Sequence, residues 1–201
     1  FLVDAWVKTG DTTMPFFLEI EGLNKIEHQH RWELAVETLF NLWHEDMGNV
    51  NKLCRLIAEC WIILSTSERE SVLSAESFKS IKGKLIDCTN YGLSTFEKES
   101  SLLWLCGYMM SLLPYLFYDN SKGDLYLSVE RKGGELLCRA KTLEPENCLY
   151  KVTYLGIGKM TDEYVETRQK LQKVLSDFFP GNTMIEEPVA SSRNSILDLM
   201  I

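Results

Sequence analysis

The sequence lacks the short motifs that mark many catalytic and cofactor-binding sites. None of the patterns G-x-S-x-G, H-E-x-x-H or G-x-G-x-x-G occurs in the 201 residues, so an esterase-type nucleophile, a zinc protease and a dinucleotide site are not indicated. Gly156-Ile157-Gly158-Lys159 has the end of a phosphate loop, but the upstream glycine is missing and Met160 stands where Ser or Thr binds magnesium. We predict no catalytic residue and no cofactor; an enzyme with dispersed active-site residues is the alternative.

Histidine and cysteine are too scattered to indicate a metal site. His28 and His30 are two residues apart and would point to different faces of a helix, and His44 lies further along. The six cysteines form no C-x-x-C pair: Cys54, Cys60, Cys88, Cys106, Cys138 and Cys148. Most fall in apolar helical patterns, which favours buried, reduced thiols. The scattered spacing of these residues predicts no metal site. No signal-peptide pattern is visible, so we predict a cytoplasmic location.

Basic residues are the minority, with 21 Lys and Arg against 29 Asp and Glu and a net charge of −8. Direct binding of nucleic acid needs a basic surface, so we predict none. The acidity is regional, because residues 1–50 contain nine acidic and three basic side chains, a net of −6. A local acidic excess favours a basic protein partner.

Long apolar runs are also absent. The most apolar stretch, 102–118, has seventeen residues without a charge and contains Gly107 and Pro114. A membrane span needs about 20 apolar residues. We therefore predict no membrane insertion, and we interpret this stretch as the central helix of a folded core.

Helical periodicity is the strongest positive signal and begins at residue 27. Trp32, Ala35, Val36, Leu39, Phe40 and Trp43 repeat at helical spacing. Further helices are predicted over about 50–64, up to about Cys88, over about 124–143 and 146–157, and from Thr161 to before Pro180. The prediction is an all-α, single domain of about 7–8 antiparallel helices, with a helical body at 27–180 and a tail at 181–201.

Local signals place several helix ends. Ser67-Glu68-Arg69-Glu70 and Ser94-Thr95-Phe96-Glu97 have the form of capping boxes, and Asn90-Tyr91-Gly92 would break the third helix. Thr161 would cap the last helix. That helix is predicted to bury five apolar residues: Val165, Leu171, Val174, Leu175 and Phe178.

Residues 1–26 are ambiguous. Phe17-Leu18-Glu19-Ile20-Glu21 alternates as a short strand would, whereas Phe1–Val7 fits a helix or a strand. We predict a short helix and an irregular segment packed on the body, with a hairpin as the alternative.

One segment resembles the second helix of a tetratricopeptide repeat. Gly133, Leu137 and Ala140 precede Pro145 at a similar spacing. The resemblance implies that the glycine lets two helices approach closely, that the alanine packs on a neighbouring hairpin, and that a concave groove binds a peptide as in an adaptor protein. An ordinary helical hairpin that ends before Pro145 is the alternative.

The first strong helix carries a row of acids opposite its apolar face. Glu33, Glu37 and Glu45 recur at a four-residue step with Asn41, and Asp46 follows. Like charges at this spacing oppose helix formation, and no Lys or Arg lies between them. We predict that Glu33, Glu37, Glu45 and Asp46 bind a basic partner; a solvated acidic face is the alternative.

In size, acidity and predicted helical fold the chain is similar to the small immunity proteins of bacterial contact-dependent toxin systems. That resemblance implies an antitoxin that covers the active site of a basic toxin, for example a nuclease. It assigns no individual binding residue.

Overall fold

The computed structural model describes residues 20–70, 73–118, 125–157 and 161–178, with side chains up to 65 in the third helix and up to 171 in the last. These ranges are helical and contain no strand. The elements are α1 (Leu23–His28), α2 (Trp32–His44), α3 (Val50–Glu70), α4 (Ala75–Thr95), α5 (Ser100–Leu112), a 3-10 turn (Pro114–Phe117), α6 (Leu125–Leu143), α7 (Cys148–Gly156) and α8 (Asp162–Phe178). The all-α prediction, with eight helices in one domain, is confirmed.

The helices pack in chain order. Each helix from α1 onward contacts the next, and α2 also packs on α4 and α3 on α5. Trp104 of α5 donates a hydrogen bond from Nε1 to Thr153 Oγ1 of α7 at 3.0 Å, which joins a further alternate pair. α2 and α4 therefore lie side by side, and α3, α5 and α7 form one row.

Both α3 and α5 are buried around most of their circumference. In α3 every residue from 53 to 64 is buried, and in α5 every residue from 101 to 107. The apolar stretch 102–118 is a core element, as predicted, but it is not one helix. Pro114 has no N–H to continue the ladder, so α5 ends at Leu112 and a 3-10 turn follows.

A close crossing between α5 and α6 depends on two glycines. A Cβ built on Gly133 would lie 2.6 Å from Ser111 Oγ and 2.9 Å from the carbonyl oxygen of Gly107. A Cβ on Gly107 would lie 2.9 Å from the Gly133 carbonyl oxygen and from the amide nitrogen of Leu137. Backbone therefore touches backbone here, as the tetratricopeptide resemblance implied for Gly133.

Two predicted starts of helices are wrong. Ser67 lies inside α3, which continues to Glu70, and the residue that caps α4 is Ser74, whose Oγ accepts from the amide of Ser77 at 3.0 Å. Ser94 lies inside α4, whereas α5 is preceded by Glu99. The capping-box pattern alone does not show whether a serine precedes a helix or lies inside one. The pattern caps a helix only where the backbone of the serine is not helical.

The predicted break at Asn90-Tyr91-Gly92 is also wrong, since α4 continues to Thr95. Gly92 is buried and faces two leucines, and a Cβ there would lie 3.0 Å from Leu53 Cδ2 and 3.1 Å from Leu102 Cδ2. The glycine is thus used for close packing inside a helix. Its usual role as a terminator does not apply here.

The last two helices follow the prediction except at Val165. Asn147 caps α7, and Thr161 Oγ1 accepts from the Tyr164 amide at 3.2 Å, which confirms its capping role. Val165 is 43% exposed, whereas the buried positions are Tyr164, Thr167 and Leu171. Tyr164 takes the core position that had been predicted for Val165, whereas Leu171 is buried as predicted. The predicted burial of Val174, Leu175 and Phe178 lies outside the described side chains.

The first helix begins before residue 27, where the helical body was predicted to begin. Gly22 has a left-handed φ of 80°, and α1 begins at Leu23. The expected single helix is then interrupted by a turn at Gln29 and His30 (φ 54°) before α2 begins at Trp32. The strand-or-helix alternatives for 1–19 and the tail at 181–201 lie outside the described residues.

Candidate partner-binding surface

The inner face of α2 is fixed by apolar packing. Ala35, Val36, Leu39 and Trp43 are buried. The ring of Trp43 meets Tyr91 of α4 edge-on, with centroids 5.2 Å apart. This stripe sets the rotation of α2 about its axis and so determines which residues face outward.

The opposite face carries the predicted acids. Glu33, Glu37 and Glu45 are exposed, and Asp46 is exposed in the turn that follows the helix. We name these four residues the α2 acidic surface. Glu33 and Glu37 share one side of α2, because a four-residue step nearly matches one helical turn, and Glu45 and Asp46 lie in the turn at its carboxyl end.

Two lysines from outside the α2 stripe contact this surface. Lys84 Nζ of α4 lies 2.7 Å from Glu37 Oε1 and also 5.5 Å from the centroid of the Phe40 ring. Lys52 Nζ of α3 lies 3.2 Å from Asp46 Oδ2. The sequence showed no basic residue within the stripe, and the fold brings these two to it. Four carboxylates and two ammonium groups leave a net charge of −2.

Hydrogen bonds keep two of the carboxylates ionised. The pKa of Glu33 is lowered, chiefly by a hydrogen bond from the Ser77 side chain. The pKa of Asp46 is lowered by hydrogen bonds from Lys52 and then Asn49, whose Nδ2 donates at 3.2 Å. Both groups therefore carry negative charge well below neutral pH.

Glu33 and Glu45 have no ion-pair partner among the described residues. They lie towards opposite ends of α2, on either side of the Glu37–Lys84 pair. A cationic partner would meet these two carboxylates first. It could then compete with Lys84 and Lys52 for the remaining two.

Metal-binding side chains do not converge in the part of the chain that the structure describes, where no group of three His, Cys, Asp or Glu could hold an ion. His30 packs against Trp32 and His44 stacks on Phe40, with centroids 5.2 and 5.5 Å apart. Over the same ranges, no helix is long and apolar enough to cross a membrane.

All six cysteines are free thiols, and four of them are buried. Burial raises the pKa of Cys88 and of Cys106 to about 12. It also raises the pKa values of Cys54 and Cys60. A thiol that stays protonated at neutral pH is a poor nucleophile, so these four act as core residues.

A buried charge cluster escaped the sequence interpretation. Glu27 of α1, Arg55 of α3 and Glu59 of α3 are only 4%, 5% and 0% exposed. The periodicity of 50–64 predicted a helix but assigned no role to Arg55 or Glu59. The available signal was that these two, four residues apart, are the only charges in the run 53–64.

No protein-family model, no curated protein and no solved structure matches this chain.

Proposed function

We propose that this protein is a non-catalytic protein-binding module whose α2 acidic surface binds a basic protein. The observation that carries the proposal is the exposure of four carboxylates along α2 and the turn that follows it, those of Glu33, Glu37, Glu45 and Asp46. Ionised carboxylates on a rigid helix attract a cationic surface at long range and accelerate the encounter.

The partner that fits this charge is a protein with a cluster of Lys or Arg, such as the substrate cleft of a nuclease. Covering that cleft would block a polyanionic substrate both sterically and electrostatically, which is how an immunity protein or antitoxin acts. Bacterial origin, a toxin partner and a cytoplasmic location stay predictions. The adjacent gene product is the first partner to test.

Charge reversal of the surface is the direct test. In Glu33→Lys/Glu37→Lys/Glu45→Lys, affinity for the basic partner should fall at least about 100-fold at low salt, since each lost contact to a cation contributes about 1 kcal/mol or more. Titration calorimetry at low and high salt measures both the loss and its screening. The reversed variant should also lose most of the salt dependence seen with the unmodified protein.

The matched control reverses three exposed acids elsewhere. Glu130→Lys/Glu135→Lys/Glu146→Lys changes net charge equally and leaves the α2 acidic surface intact. This control should bind nearly as the unmodified protein does. Equal losses of affinity in both triple variants would show that the effect comes from overall net charge. An unchanged affinity in the α2 variant would contradict the proposal.

A groove-binding adaptor is the second candidate. It is favoured by the contacts between alternate helices, which resemble those in stacked helical hairpins. An adaptor of this kind would bind an extended peptide in a concave groove. Its partner should bind the α2 charge-reversed variant at unchanged affinity, in the same calorimetric titration and with little dependence on salt. A more than tenfold loss in that variant would exclude this mode.

A further inference from the structure

The Glu27–Arg55–Glu59 cluster fastens the short helix α1 to α3. Arg55 Nη2 donates to Glu27 Oε1, and Arg55 Nη1 donates to Glu59 Oε2 at 2.6 Å. The side chains are 3%, 6% and 0% exposed in the order Glu27, Arg55, Glu59. One guanidinium therefore serves two carboxyl groups with almost no access to water.

The charges of this cluster do not balance if both carboxyl groups are ionised. Two carboxylates and one guanidinium leave a net charge of −1 in the protein interior, which is strongly unfavourable without a partner. Both carboxyl groups accept from the same guanidinium, so they lie near each other, and a proton on either one would remove the excess charge.

The remaining oxygens point to the same conclusion. Glu27 Oε2 and Glu59 Oε1 are buried acceptors that receive no hydrogen bond from the described residues. A proton on one carboxyl group turns an acceptor into a donor, and so improves the hydrogen bonding of the pair. Both the charge and the hydrogen-bond pattern favour one bound proton.

We propose that the Glu27–Arg55–Glu59 cluster binds one proton at neutral pH and thereby forms a pH-sensitive latch between α1 and α3. The two carboxyl groups share this proton, so the site belongs to the pair. Its release leaves an unbalanced buried charge, which favours separation of α1 from α3 and hydration of the carboxylates.

The pKa of Glu27 is raised, which agrees with a bound proton. Burial raises it above the ordinary 4.5, the charge of Glu59 raises it further, and Arg55 opposes both. A group whose pKa is raised by folding stabilises the closed state fully below its unfolded value. That stabilisation is lost as the pH rises from 4.5 through the folded pKa. The latch is thus tightest in acid and weakens towards alkaline pH.

Other charged groups lie outside the cluster. α2, which packs on α1, turns Ala35 and Leu39 to the core and keeps Glu33 and Glu37 on its exposed side. The exposed His28 and His30 lie at the end of α1 and in the following turn. A control variant must retain both imidazoles, so that it differs from the unmodified protein at one carboxyl group alone.

Hydrogen exchange of the amides of Glu27, His28 and Arg31 tests the latch. Protection factors, which are corrected for the intrinsic pH dependence of exchange, should fall up to about tenfold per pH unit over part of the range from about pH 5 to about pH 8. In Glu27→Gln this slope should vanish, because the amide is neutral at every pH and can still accept from Arg55 and donate to Glu59. Glu59→Gln is the second variant and should behave alike.

Glu37→Gln is the matched control, since it neutralises an exposed, ion-paired glutamate on α2 and should keep the full slope. Infrared difference spectra between the unmodified protein and Glu27→Gln at neutral pH should show the carbonyl stretch of a protonated carboxyl group. Absence of that band overturns the proposal. A slope of zero in the unmodified protein, or one that persists in both glutamine variants, also overturns it.

Discussion

Gly133→Ala should lower the free energy of unfolding by about 1–3 kcal/mol, as expected for overpacking at a close contact. The same substitution at Gly134 should raise it by about 0.5–1 kcal/mol. Both glycines lie inside α6, where alanine has a higher helix propensity than glycine. The opposite signs follow from what the added methyl group meets.

At Gly133 the new Cβ would lie 2.9 Å from the carbonyl oxygen of Gly107 and 2.9 Å from the amide nitrogen of Ser111, both backbone atoms of α5. Relief requires α5 and α6 to move apart, which loosens the packing along their crossing. At Gly134 no atom of another helix lies within 4 Å of the place that the methyl group would take. At Gly134 only the higher helix propensity of alanine therefore changes the free energy of unfolding.

Urea unfolding followed by circular dichroism measures both variants. Gly134→Ala controls for the helix-propensity gain that the Gly133 variant also receives. If Gly133→Ala were as stable as Gly134→Ala, the close crossing of α5 and α6 would be contradicted. A loss at both positions would point to a different environment for Gly134.

Arg55→Met should destabilise the protein by about 3–5 kcal/mol at neutral pH, the range found when one partner of a buried ion pair is removed. Methionine fills similar space but leaves Glu27 and Glu59 facing each other without a cation. Adding Glu27→Gln and Glu59→Gln to this variant should recover part of the loss, because the buried charges are then gone.

The control for Arg55 is Lys52→Met, one turn earlier in α3. Lys52 pairs with the exposed Asp46, and surface pairs of this kind contribute little. Chemical unfolding of the Arg55 and Lys52 variants, with the glutamine rescue, separates a buried clamp from an ordinary surface charge. Equal stability of Arg55→Met and Lys52→Met would contradict the role assigned to the cluster.

Most of the helix content was predictable, because the apolar spacing in α2 or α6 follows from local sequence. The errors concern residues with two possible uses. Gly92 can end a helix or admit a neighbour, and Ser67 can cap a helix or lie within one. Which use applies depends on Leu53 and Leu102, or on where the chain turns, and those are tertiary facts.

The exposure of the α2 acidic surface was predictable from the sequence, but the lysines that pair with two of its carboxylates were not. The spacing of Glu33, Glu37 and Glu45 defined the face, whereas Lys84 is 47 residues from its partner Glu37. The buried cluster was harder still, since Glu27 is 28 residues from Arg55. Periodicity treats each helix alone, so it could not show that Arg55 and Glu59 meet Glu27.

The packing of each helix on its chain neighbours also bears on how the chain acquires its structure. Contacts between helices that are adjacent or nearly adjacent in sequence close short loops, and such topologies fold quickly. Successive hairpins can therefore consolidate as the polypeptide leaves the ribosome, before the later helices exist. The hydrogen bond between Trp104 and Thr153, for example, must wait until α7 has been synthesised.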